Sequence, residues 1–121
     1  EVTPFEEKAP FLLHAKLGAW MAEHEYHVSD PAILSAIACH TTGKPDMSLL
    51  DKIIFIADYI EPGRDKATGL PEIRRLSFTE IDKALIRILS DTLDYLTSCN
   101  DPIDPATQNV LDYYLRREEL S

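Results

Sequence analysis

The most constraining feature of this sequence is the segment 49–60, which reads LLDKIIFIADYI. Its apolar side chains are spread around the whole circumference of a helix instead of forming one stripe. A helix of this kind is typical of a protein interior, because none of its sides gains by facing water. Ser48 and Asp51 have the spacing of a capping box at its start. We therefore predict a central, buried helix over these residues.

The rest of the chain also favours helices. No segment shows the strict apolar–polar alternation of a half-buried strand, and no Asn-Gly or Asp-Gly hairpin signal is present. Asp30 and Thr79 are predicted helix caps, and Gly43 is a predicted stop. The predicted helical segments are 3–8 (a single turn), 11–25, 31–41, 49–60, 71–76, 80–99 and 106–118. The predicted fold class is all-α, with the 121 residues in one domain.

Charge and composition exclude several classes of protein. The chain carries 12 basic and 21 acidic residues, a net charge of −9 with histidine neutral, which argues against a nucleic-acid partner. No apolar run approaches the ~20 residues that span a bilayer, so we expect no membrane partner. Cys39 and Cys99 are too few for a disulfide framework and lie in apolar helical patterns. We expect both to be small buried side chains in a cytoplasmic protein.

Two carboxylates lie on the apolar helix 49–60. At about 100° per residue, Asp51 and Asp58 are only about 20° apart around it. Asp51 is best explained as the capping-box partner of Ser48. Asp58 lies deep in the apolar run, so we expect it to be buried and neutralised by a proton, a cationic side chain or a metal ion. A structural salt bridge, a helix-capping contact and a ligand role all stay open for it.

Two histidines also lie among apolar residues. His40 falls on the apolar stripe of the helix 31–41, close to its end, and His14 lies at the edge of the stripe of the preceding helix. Each alone is more often a core residue than a ligand. Together with the Asp58 carboxylate they lie on three successive helices, and imidazole and carboxylate are the usual protein ligands of divalent transition metals. The combination favours a metal site.

The turns that follow these helices carry groups that suit phosphate. Directly after His40, the segment 41–44 (TTGK) offers two hydroxyls, a flexible backbone and an ammonium group. After Asp58, the segment 61–66 (EPGRDK) contains Arg64, whose guanidinium can hold a phosphate with two parallel hydrogen bonds. Solvated loop charges are the plainer interpretation of either turn alone. Their position after candidate metal ligands is what favours an anion site.

Two segments are specific enough to indicate a family. Residues 40–65 read HTTGKPDMSLLDKIIFIADYIEPGRD, and residues 9–20 read APFLLHAKLGAW. In both, and in its tail, the sequence resembles the YqeK-type HD-domain proteins, the symmetrical diadenosine tetraphosphate hydrolases of bacteria. The resemblance implies the helical bundle of HD domains, of which this chain would form the C-terminal portion. It also implies metal-dependent hydrolysis of a dinucleoside polyphosphate, with diadenosine tetraphosphate giving two ADP.

The resemblance further implies a site. The family holds a dinuclear metal centre, commonly of iron, with manganese or magnesium as alternatives. His14 and His40 match ligands of one metal, and Asp58 matches the late aspartate that binds the other and acts in catalysis. The implied substrate is a small-molecule nucleotide, with ADP- or GDP-like products. Six further residues fall in signature segments near the substrate: Thr42, Gly43, Lys44, Lys52, Glu61 and Arg64.

One part of the family pattern is missing. The family takes its name from an adjacent His-Asp pair, and this sequence contains no His-Asp dipeptide. We therefore expect a chain truncated at its N-terminus, without some ligands of the first metal. Two other functions stay open: another HD-type nucleotide phosphohydrolase, and a nucleotide-binding module without turnover. A homodimer stays open as the assembly.

Overall fold

The computed structural model of the protein describes residues 3–8, 14–61 and 69–120. Within these ranges every regular element is an α-helix, as the sequence predicts. The first residues of the predicted helix 11–25 lie outside the described residues. In chain order the helices are α1 (Pro4–Lys8), α2 (His14–His24), α3 (Pro31–Cys39), α4 (Leu49–Ile60), α5 (Leu70–Thr79), α6 (Ile81–Ser98) and α7 (Pro105–Leu120).

The chain divides into two compact units, and the division passes through α4. The first unit comprises Glu1–Gly43 and Met47–Phe55. The second comprises Lys44–Asp46 and Ile56–Ser121. Each unit has its own buried apolar side chains, so each is described by itself.

The first unit is built on the packing of α2 against α3. Small residues let the two helices approach: Ala15 is buried, and a Cβ added at Gly18 would stand 3.5 Å from Cγ2 of Ile37. The start of α3 follows the predicted signal, because the Asp30 carboxylate accepts a hydrogen bond from the backbone N–H of Ala32 at 2.9 Å. The cap therefore sets where α3 begins, and the small side chains allow it to lie close to α2.

The predicted capping box is present at the start of α4. The Ser48 hydroxyl accepts a hydrogen bond from the backbone N–H of Asp51 (3.1 Å), and the Asp51 carboxylate accepts one from the N–H of Ser48 (3.0 Å). Asp51 is only 1% exposed, and it also accepts a hydrogen bond from the Ser35 hydroxyl of α3. The structural role predicted for Asp51 is confirmed.

The second unit is centred on α6, which packs against both α5 and α7. Ile73 of α5 and Tyr114 of α7 are buried. Full burial of a large apolar side chain contributes about 1.5–3 kcal/mol, so these residues stabilise the three-helix arrangement. The buried side chains of α6 recur at the helical spacing of three and four residues: Ala84, Leu85, Ile88 and Leu89.

The predicted boundary between α5 and α6 is wrong. α5 extends beyond the predicted segment 71–76 as far as Thr79, and α6 begins after Glu80. Thr79 does not cap α6, because its hydroxyl donates to the carbonyl oxygen of Arg75 inside α5, at 3.2 Å. A threonine can bond backwards within its own helix or forwards into the next one, and the local sequence does not distinguish the two.

The predicted burial of α4 is wrong for one side of the helix. Leu49, Ile53 and Ile54 are 63%, 46% and 38% exposed, respectively. Asp58, which the sequence predicts to be buried, is exposed as well. The Ser35 contact that buries Asp51 is made two turns earlier, about 10 Å along the helix axis. The hydrophobic pattern of a helix shows which side chains would gain from burial. It does not show whether another part of the protein covers them.

Two further expectations concern the cysteines and the membrane. Cys39 is buried as predicted, whereas the prediction is wrong for Cys99, the C-cap of α6, which is exposed. In the part of the chain that the structure describes, no helix combines the length and the apolar character needed to cross a membrane.

Candidate functional site

His14 and His40 lie side by side in the first unit. His14 is the first residue of α2 and His40 directly follows α3, so the packing of these helices brings the two imidazoles together. Their ring centroids are 5.2 Å apart, and the rings meet edge to face at an interplanar angle of 76°. His40 is half-buried and His14 is exposed. Two of the three predicted metal ligands are therefore neighbours.

The backbone determines which nitrogen of His40 is available. Nδ1 of His40 lies 2.6 Å from the carbonyl oxygen of Ile37. A carbonyl oxygen only accepts, so Nδ1 carries the proton and Nε2 of the neutral ring holds a lone pair. Metal-binding histidines commonly use this arrangement, in which one ring nitrogen donates to a backbone carbonyl and the other faces the metal. His40 is therefore oriented as a donor through Nε2.

The hydroxyl of Thr41 lies beside both rings. Its oxygen is 3.1 Å from Nε2 of His14 and 3.5 Å from Nε2 of His40. Both Nε2 atoms therefore face one point in space. In the sequence Thr41 is only one of two hydroxyls in a turn, and its adjacency to His40 is the sole signal of a further role. Its contact with His14 depends on the packing of α2 against α3, which no local pattern encodes.

Two converging imidazole nitrogens fit part of the donor set of a divalent metal. Neutral imidazole is a common ligand of such metals, and protein sites usually use three or more ligands. Among the described residues, no group of three or more His, Cys, Asp or Glu side chains is arranged to hold a metal ion. His14 and His40 thus fit as two ligands of a site that needs further donors.

Asp58, the third predicted ligand, belongs to the second unit, as do Lys44 and Glu61. All three side chains are exposed, and Asp58 lies in the last turn of α4. That turn is anchored by the guanidinium of Arg74, because its Nε and Nη2 donate to the carbonyl oxygen of Ile60 at 3.3 and 3.0 Å. The aspartate is therefore presented to solvent from a held helix end.

Of the four remaining predicted substrate residues, Thr42 and Gly43 lie in the turn after α3. Gly43 has a φ of 75°, which favours glycine, and its N–H donates to the carbonyl oxygen of Cys39 at 2.8 Å. α3 ends at Cys39, two residues earlier than predicted. Thr42 and Lys52 are half-buried in the same unit as the histidine pair. Arg64 lies outside the described residues.

Comparison with known proteins extends these observations. A crystal structure from Clostridium acetobutylicum, of a protein described as a predicted HD superfamily hydrolase involved in NAD metabolism, superposes with a TM-score of 0.92. The two chains are 35% identical, and the match covers 97% of this chain and 61% of that one. Identity at this level, with near-complete coverage of this chain, supports a shared fold.

The sequence is also similar to curated proteins named symmetrical bis(5'-nucleosyl)-tetraphosphatase. The Bacillus subtilis (strain 168) protein is 44% identical over 98 residues, which make up 81% of this chain and 52% of that protein. The Halalkalibacterium halodurans protein is 46% identical over 96 residues, or 79% of this chain and 51% of that protein. This chain therefore spans about half the length of these curated relatives.

The family itself is given by a match of the HD domain to residues 1–63. This region includes His14, His40 and Asp58, the three predicted metal ligands. It extends over more than half of the 121 residues. The chain belongs to the HD domain family.

Proposed function

We propose that this chain belongs to a metal-dependent hydrolase that cleaves a phosphoanhydride of dinucleoside tetraphosphates, converting diadenosine tetraphosphate into two ADP. The observation that carries the proposal is the histidine pair, with Nε2 of His14 and of His40 at 3.1 and 3.5 Å from one hydroxyl oxygen. The relatives named symmetrical bis(5'-nucleosyl)-tetraphosphatase support the reaction class. The geometry of the two rings and the similarity to these relatives are separate lines of support.

We assign His14 and His40 to one divalent metal and Asp58 to a second. Iron is the proposed metal of this dinuclear centre, with manganese or magnesium as alternatives. The donor chemistry supports the assignment, since imidazole favours transition metals and carboxylate accepts either class. When bound, the metals supply positive charge that activates water and offsets charge on the phosphoryl oxygens. The carbonyl of Ile37 contributes by holding the His40 ring with Nε2 outward.

The cationic and hydroxyl groups of the two turns are assigned to the substrate phosphates. An ammonium group acts as a point charge, whereas the guanidinium of Arg64 can form two parallel bonds. These groups would hold the polyphosphate in line, because positioning and electrostatics supply most of the catalysis of phosphoryl transfer. A chain of net charge −9 suits a compact polyphosphate held by a few cationic side chains better than a long anionic polymer. The residues assigned to the substrate site as a whole also include Lys52 of α4 and the Glu61 carboxylate, and the full set is Thr42, Gly43, Lys44, Lys52, Glu61 and Arg64.

A product assay tests the reaction class. The chain is incubated with Fe²⁺ or Mn²⁺ and diadenosine tetraphosphate, and the nucleotides are separated by anion-exchange chromatography. ADP as the sole product supports the proposal. Release of a nucleoside and phosphate from a mononucleotide would favour another HD-type phosphohydrolase. Binding of ADP without turnover, with fewer than two metals per chain, would favour a nucleotide-binding module.

Single substitutions test the assigned ligands. In the full-length enzyme we expect His40→Ala and Asp58→Ala to lower metal content and turnover by orders of magnitude, because each removes a ligand. Asp94→Ala is the matched control, since Asp94 is an exposed aspartate of α6. Near-normal activity with a normal metal content in His40→Ala or Asp58→Ala would remove that residue from the mechanism.

We place the reaction in the cytoplasm. For the assembly, a homodimer and a monomer are the two alternatives. The presence of only 2 cysteines supports a reducing compartment. Light scattering on a size-exclusion column separates the monomer from the homodimer.

A further inference from the structure

Thr41 is placed where it can control how the two imidazoles face each other. Its hydroxyl oxygen is 3.1 Å from Nε2 of His14 and 3.5 Å from Nε2 of His40. A hydroxyl has one proton to donate and two lone pairs that accept. One side chain can therefore bond two ring nitrogens at once, donating to one and accepting from the other.

The two rings differ in how firmly they are held. His40 is half-buried, and its Nδ1 donates to the Ile37 carbonyl at 2.6 Å. His14 of α2 is exposed, so burial restrains its ring less than that of His40. The relative orientation of the pair therefore depends on contacts that reach His14 from α3 and the turn after it. The Thr41 hydroxyl is such a contact.

Thr41 is suited to act as a fixed point. It is β-branched, so its χ1 angle is restricted, and it is half-buried. The turn that carries it is closed by the hydrogen bond from the N–H of Gly43 to the carbonyl oxygen of Cys39, at 2.8 Å. A short, stiff side chain on a closed turn has less freedom than an exposed imidazole.

We propose that Thr41 is a positioning residue whose hydroxyl orients Nε2 of His14 and Nε2 of His40 toward one point, where both can bind the same divalent cation once the proton on Nε2 of His14 has moved to Nδ1 of that ring. The part that concerns the cation rests on the proposed function, whereas the effect on ring orientation does not. The opposite role is a hydroxyl that occupies the cation's place and weakens binding. The two roles predict opposite signs when the hydroxyl is removed.

The first experiment needs no metal. Ring-to-ring nuclear Overhauser effects between His14 and His40 are measured in the whole 121-residue chain and in variants. We expect them to weaken or vanish in Thr41→Val, which keeps the shape but loses the hydroxyl, and to return in Thr41→Ser. Thr97→Val, at an exposed position of α6, is the control for the substitution itself. Unchanged ring-to-ring effects in Thr41→Val overturn the proposal, whatever happens to metal affinity.

The second experiment is a calorimetric titration with Mn²⁺. Loss of a group that orients metal ligands typically costs 10–100-fold in affinity, so we expect Thr41→Val to bind about tenfold more weakly and Thr41→Ser to bind as the wild type does. Equal or tighter binding by Thr41→Val contradicts the positioning role. Absence of binding in the wild type shows that the histidine pair does not hold Mn²⁺ without the further donors that the site needs, and the ring-to-ring measurement then decides on Thr41 alone. Circular dichroism checks folding, and Thr41→Ala replaces Thr41→Val should the latter not fold.

Discussion

The Ser35 hydroxyl of α3 donates a hydrogen bond to the buried carboxylate of Asp51, 3.2 Å away in the first turn of α4. The same oxygen, Oδ2, accepts the backbone N–H of Ser48 at 3.0 Å. One side chain thus caps its own helix and joins it to a neighbouring one. A buried carboxylate is tolerated only with such partners, so the cap and the inter-helix bond depend on each other.

We expect Asp51→Ala to lower the free energy of unfolding by about 2–3 kcal/mol, because it removes both the helix cap and the acceptor of the Ser35 hydroxyl. Urea denaturation measures the change. Asp94→Ala, at an exposed position of α6, is the control and should stay within about 0.5 kcal/mol of the wild type. Equal effects of the two substitutions would show that the Asp51 contacts contribute nothing particular.

Two glycines should respond oppositely to alanine. Gly69 has a φ of 74°, and a Cβ there would come within 3.0 Å of Cζ of Arg87, so we expect Gly69→Ala to destabilise by about 1–2 kcal/mol. Gly18 lies within α2, where the nearest atom to a new Cβ is Cγ2 of Ile37 at 3.5 Å, an ordinary contact. Gly18→Ala should therefore stabilise by about 0.5–1 kcal/mol. Thermal unfolding followed by circular dichroism compares them, and a shared sign contradicts the prediction.

Glu72 and Arg75 form an ion pair one turn apart on α5. The side-chain hydrogen bond from Arg75, and then its charge, lower the pKa of Glu72 below the ordinary value of 4.5. A carboxyl whose pKa is lower in the folded state stabilises fully above the unfolded value of 4.5, and this contribution is lost as the pH falls through the lowered pKa. Carbon NMR titration of the Glu72 carboxyl should show the depressed pKa, and Arg75→Gln should raise it toward 4.5.

The control for this pair is Arg116→Gln, because Arg116 is an exposed arginine of α7. It should leave the Glu72 titration unchanged. Added salt should weaken the effect of Arg75, since the pair is exposed and screened. If Arg75→Gln leaves the pKa of Glu72 unchanged, the ion pair does not persist in solution.

Arg74 holds the end of α4 through its two hydrogen bonds to the Ile60 carbonyl oxygen. We expect Arg74→Met, which keeps much of the aliphatic length but loses both donors, to lower the free energy of unfolding by about 1 kcal/mol. Arg116→Met is the matched control and should change it by less than about 0.5 kcal/mol. Hydrogen exchange at the amides of the last turn of α4 gives a local readout, with faster exchange expected only in Arg74→Met.

The sequence predicts the helices well where their signals are local. Asp30 caps α3, and Ser48 with Asp51 caps α4, because each cap involves residues within three positions of one another. Thr79 shows the limit of local signals, because the same hydroxyl that can cap the next helix bonds backwards to Arg75. Local chemistry therefore predicts helix starts better than the exact point at which one helix gives way to the next.

The candidate site is predictable only in part for the same reason. His14 and His40 stand out because each is polar among apolar neighbours, and the structure brings their rings within 5.2 Å. The contribution of Thr41 requires knowing that the start of α2 meets the end of α3, which is tertiary information. For Asp58 the apolar surroundings in sequence predict burial, yet the side chain is exposed. Apolar neighbours in the sequence therefore do not ensure that a side chain is buried.

The bond between Arg74 and the Ile60 carbonyl has a consequence for Asp58. The last turn of a helix ordinarily frays, since its final carbonyls have no partner within the helix. Here the final carbonyl accepts two hydrogen bonds from the guanidinium of Arg74 in α5. The turn that carries Asp58 therefore cannot unwind unless those two bonds break. The side chain of Asp58 is exposed to solvent, but its backbone is restrained. A ligand that binds this carboxylate therefore finds the backbone beneath it already ordered. Binding then costs less conformational entropy than it would at a frayed helix end.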